Sequence, residues 1–180
     1  MNGNEIVKKI QDHKFVILTG DSDGRYMLRD LLSRNDKRKC HTLCTRRYKI
    51  HYLLNTNESL YYDDTSDYEY TIHLLKHLGR KKNLVKVDNF SDIYGTMKFL
   101  LYNNEENNKG LFTAIKNETQ IIIKHLKKCN KSVILFVDSV VGTSEKGHQI
   151  TMDIHELFLR EADLIIRIVE GNIKIVKEIK

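Results

Sequence analysis

The residues with the clearest chemical potential are Gly20-Asp21-Ser22-Asp23-Gly24-Arg25-Tyr26, which follow the apolar run Phe15 to Thr19. An apolar strand, a tight turn and a helix form the local frame of a phosphate-binding loop. A working loop of the G-x-x-x-x-G-K-[ST] type needs three things. Its glycines let the backbone wrap the phosphates, its lysine supplies charge, and its hydroxyl holds magnesium. Gly24 can stand as the second glycine, but Thr19 occupies the place of the first. Arg25 stands where the lysine belongs and Tyr26 where Ser or Thr belongs. Asp21 and Asp23 put carboxylates where phosphate oxygens would sit, and like charges at that range repel strongly. The motif therefore predicts no tight ATP binding. The same aspartates suit a structural turn in which carboxylates cap the following helix.

A second apolar run, Val133 to Val137, ends in Asp138. A Walker B strand has this form, its aspartate supporting the magnesium site. Ser139, Val140 and Val141 follow, so no catalytic glutamate does. Many buried strands end in Asp, and a strand end without metal is the plainer expectation. Cys40 and Cys44 share a face if their segment is a strand, but lie about 13 Å apart, too far for one zinc. Free buried thiols are expected there and at Cys129. His73 and His77 are spaced for one helix face, and His155-Glu156 lacks the second histidine of a zinc-protease motif. No metal site, no cofactor and no nucleophilic triad are predicted.

The chain carries a formal charge of +6, a mild excess, but its distribution is uneven. Arg34, Lys37, Arg38, Lys39, Arg46, Arg47 and Lys49 crowd one stretch; Arg80, Lys81 and Lys82 form another. Such clusters ordinarily mark solvated loops. They are also the electrostatic footprint of an anionic partner such as RNA. The candidate RNA-binding residues are Arg34, Lys37, Arg38, Lys39, Arg46, Arg47, Arg80, Lys81 and Lys82.

The elements that would position these residues follow from apolar periodicity, since the chain has no proline. Phe15 to Thr19 predicts a buried strand and Arg25 to Arg34 a helix. Cys40 to Thr45 predicts a strand. Tyr48 to Leu54 alternates as an added strand or hairpin arm, with Asn55 to Glu58 as a turn. Tyr68 to Leu78 predicts a helix, Leu84 to Val87 a strand, and Ser91 caps a further helix through Leu101. Asn103 to Lys109 reads as a polar loop and Leu111 to Cys129 as a long helix. Gly142 to Gly147 reads as a loop, with a helix around Ile154 to Phe158. Leu164 to Val169 and Ile173 to Ile179 predict strands joined as a hairpin at Glu170-Gly171-Asn172. Alternating strands and helices argue for an α/β domain with a largely parallel sheet covered on both faces. The 180 residues suit one domain. Met1 to Lys9 is polar, without a signal-peptide core, and no 18-residue apolar run occurs. With three cysteines, this balance predicts a cytoplasmic protein, a nuclear pool allowed.

Taken together, FVILTGDSDGRYMLRDLLS, SVILFVDSV and LREADLIIRIVEGNIKIVKEIK resemble RecA-type ATPases stripped of catalytic residues. More narrowly, TGDSDGRYMLRDLLS, SDYEYTIHLLKHLG, VDNFSDIYG and VILFVDS resemble the sixth subunit of the Elongator complex. The resemblance implies a single RecA-like domain over residues 1–180 without Walker motifs. It implies a place beside the fourth and fifth Elongator subunits, in a hetero-hexameric ring that binds tRNA for wobble-uridine modification. Two departures stand out. Residues 46–64 look like an insertion. Residues 139–163 are a short span where a RecA-like domain usually holds another helix and strand. The expected function is thus a non-catalytic assembly subunit. The alternatives are a divergent nucleotide-binding ATPase and a recombinase-paralogue accessory factor for single-stranded DNA.

Overall fold

The computed structural model describes residues 2–38, 40–45, 58–63, 84–87, 108–129, 132–138 and 156–179. The expectations at Lys39, Arg46, Arg47, Tyr48–Leu54, Tyr68–Leu78, Arg80–Lys82, Ser91–Leu101 and Gly142–Gly147 lie outside these residues.

The first element, α1 (Gly3–Asp12), occupies the terminus that looked merely polar. Its cue is a capping box. The Asn2 side chain accepts from the Glu5 N–H at 2.9 Å, and the Glu5 carboxylate accepts from the Asn2 N–H at 2.8 Å. Ile6, Val7 and Ile10 fall on one side of that helix and are buried. Strand β1 (Phe15–Gly20) follows, and its first four residues are fully buried. Helix α2 (Ser22–Asn35) begins three residues before the expected Arg25, because Asp21 caps it and draws Ser22 to Gly24 into the first turn.

Next come β2 (Cys40–Thr45), β3 (Glu58–Asp63) and β4 (Leu84–Val87). Glu58, expected in a turn, opens β3, where it pairs in register with Cys40. Helix α3 (Asn108–Cys129) takes in Asn108 and Lys109, which read as loop from their polarity alone. Strand β5 (Ser132–Asp138) follows. Residues 156–161 are helical, and β6 (Leu164–Val169) and β7 (Asn172–Glu178) close the described chain.

All seven described strands join one sheet in the order β3-β2-β4-β5-β1-β6-β7. Every pairing is parallel except β6 with β7. The class is the α/β arrangement expected: a mostly parallel sheet, flanking helices and a C-terminal antiparallel hairpin. Glu170 and Gly171 turn the hairpin at φ of 51° and 73°, the backbone that lets a two-residue turn follow strand twist. No described helix is long and apolar enough to cross a membrane.

Alternation divides the core. Val16, Leu18, Ile134, Phe136, Leu164, Ile166 and Ile168 pack with Ile6, Val7 and Ile10 of α1 and Leu28 and Leu32 of α2. Phe15, Ile17, Val133, Leu135 and Val137, also buried, point to the opposite face. There α3 lies near enough for Lys127 Nζ to sit 6.0 Å from the centre of the Phe15 ring. Because β1 is covered on both sides, truncating Leu18 to alanine would cost about 2–5 kcal/mol. That burial makes β1 the fixed axis from which the Gly20–Arg25 segment departs.

Candidate functional site

At the C-terminal edge of the sheet, β1 ends between β5 and β6, with Gly20 in register with Asp138 and with Ile168. This is the position at which α/β sheets bind ligands. Here the segment is folded down onto β6. Gly20 has φ +144°, and a Cβ built on it would lie 1.8 Å from the Ile168 carbonyl oxygen. Asp21 N–H donates to that same oxygen at 3.1 Å. A Cβ on Gly24 would lie 2.4 Å from Ile168 Cγ2 and 2.9 Å from Asp21 Oδ1. Both glycines therefore serve close packing against β6.

Asp21 fills the helix N-terminus from within. Its Oδ1 accepts from the Gly24 N–H at 2.7 Å, and its Oδ2 accepts from the Glu170 N–H at 2.7 Å. One carboxylate thus caps α2 and ties it to the β6–β7 turn. The N–H bonds from Glu170 and Gly24, aided by the Arg25 charge, hold its carboxyl below the usual carboxylate range despite some desolvation. An external phosphate at this helix end would have to displace that internal anion.

The remaining residues of the degenerate loop are distributed differently. Asp23 is exposed on the first turn of α2. Arg25 is 5 % exposed and folds back, its Nε 3.4 Å from the Asp21 carbonyl oxygen. A loop lysine would reach outward to phosphates. Tyr26, at the hydroxyl position of the motif, is 49 % exposed. Asp138, the Walker-B-like aspartate, ends the strand directly beside β1. Among the described residues no cluster of three His, Cys, Asp or Glu side chains could hold a metal.

The described candidate RNA-binding residues lie at the other edge of the sheet. Helix α2 runs from the C-terminal edge back to the N-terminal edge, where Arg34, Lys37 and Arg38 cluster before β2. Arg34 is exposed and pairs with Asp30 one turn earlier at 3.0 Å; Lys37 is exposed. Arg38 turns inward. Its guanidinium holds both oxygens of Asp36, at 3.0, 3.2 and 2.7 Å, and donates to Ser132 Oγ at 2.9 Å. The Asp36 side chain is fully buried. Burial pushes its carboxyl up, but the Arg38 hydrogen bonds and charge, with help from Lys86, hold it below the usual range.

That network escaped the sequence reading. Asp36 is one acid within a basic run, and nothing local marks Ser132, 94 residues from Arg38, as its neighbour. Arg29 is the other buried cation of α2, its guanidinium 4.8 Å from the centre of the Phe136 ring on β5.

No protein-family model matches the chain, and no curated protein matches its sequence. Among solved structures, the chain is similar to a Pyrococcus horikoshii OT3 protein studied structurally as project PH0250. The two are 12 % identical, the TM-score is 0.54, and the match covers all of this chain and 94 % of the other. At that identity the likeness establishes a shared α/β fold.

Proposed function

We propose that this chain is a non-catalytic, RecA-like subunit of a hetero-oligomeric assembly. One observation carries the proposal: the Asp21 carboxylate occupies the N-terminus of α2 and is bound there by two backbone N–H groups. Glycines closed against Ile168 and a buried Arg25 support the same reading. A fold that keeps its central strands around a filled phosphate position has more use as a scaffold than as an NTPase. Isothermal titration with Mg-ATP tests this. Any binding should be weaker than about 1 mM. Micromolar binding that disappears in Arg25→Ala would favour a divergent nucleotide-binding enzyme instead.

The identity of the assembly rests on resemblance. In that reading the partners are RecA-like subunits corresponding to the fourth and fifth of Elongator, in the cytoplasm, and the complex supports tRNA binding for wobble-uridine modification. Exposed Arg34 and Lys37 support an anionic partner. Purification of the native complex tests the partners; recovery of the chain alone counts against them. Comparing tRNA with single-stranded DNA at one salt concentration separates this role from that of a recombinase accessory factor.

A further inference from the structure

We draw no further inference here: the strongest candidate, the groove between the C-terminal half of α3 and residues 156–161 whose described lining includes Lys124, Lys127, Lys128 and Arg160, carries nothing because its apolar residues Ile123 and Leu157 are already buried and nothing in the structure shows what covers it.

Discussion

Replacing Arg38 separates a structural cation from a ligand-binding one. Sequence places it at the centre of a basic run, so an RNA role predicts lost anion affinity and little change in stability. The structure predicts the reverse. Arg38→Ala leaves the fully buried Asp36 carboxylate without its bidentate partner and Ser132 Oγ without a donor. Breaking a buried ion pair costs about 3–5 kcal/mol. The Arg38 side chain is 29 % exposed, so water enters on one side and a figure discounted below that range, roughly 2–3 kcal/mol, applies. For a domain of this size that is a fall in melting temperature of about 5–10 °C.

The assay is thermal unfolding with a double-mutant cycle through Asp36→Ala. The coupling should be about 2 kcal/mol, and the double variant should be more stable than the two single losses summed. The pH dependence has a fixed sign. The folded pKa of Asp36 lies below its ordinary 3.8. The stabilisation is therefore fully present above that value and fades as pH falls through the folded pKa. In Arg38→Ala that acid-side loss should shrink. A melting temperature within 1 °C of the parent, combined with a drop in tRNA affinity, would refute the structural role.

Asp21→Ala removes the α2 cap and the tie to Glu170, so melting should fall by roughly 2–6 °C. Its depressed pKa gives the same sign: stability from Asp21 is held above its ordinary 3.8 and lost as pH falls through the lower folded value. Equal acid sensitivity in the parent and in Asp21→Asn would contradict that. Gly20→Ala should yield no soluble folded protein, because its Cβ would meet a backbone oxygen at 1.8 Å. Gly171→Ala, with nothing within 4 Å of the added carbon, should fold and lose only about 1 kcal/mol, from its φ of +73°. Comparable expression of the two variants would overturn the steric argument at Gly20.

Sequence alone determined the axis of this protein. Phe15 to Thr19 and Val133 to Val137 are short uninterrupted apolar runs, and a run of that length without alternation suits a strand covered on both faces. The missing lysine and hydroxyl after Gly24 were equally plain, because a motif's chemistry belongs to residue type and spacing. Polarity hid α1, although Asn2, Glu5, Ile6 and Ile10 carried its cap and its buried face. Tertiary structure decided what the charges do. Asp21 was visible as a carboxylate that repels phosphate, but its second bond comes from Glu170, 149 residues away. Arg38 differs from its exposed neighbour Lys37 only because the fold brings Ser132 and a buried Asp36 to it. Local pattern specifies which face of an element is apolar, whereas the partner of a polar group depends on which distant segments the sheet order places beside it.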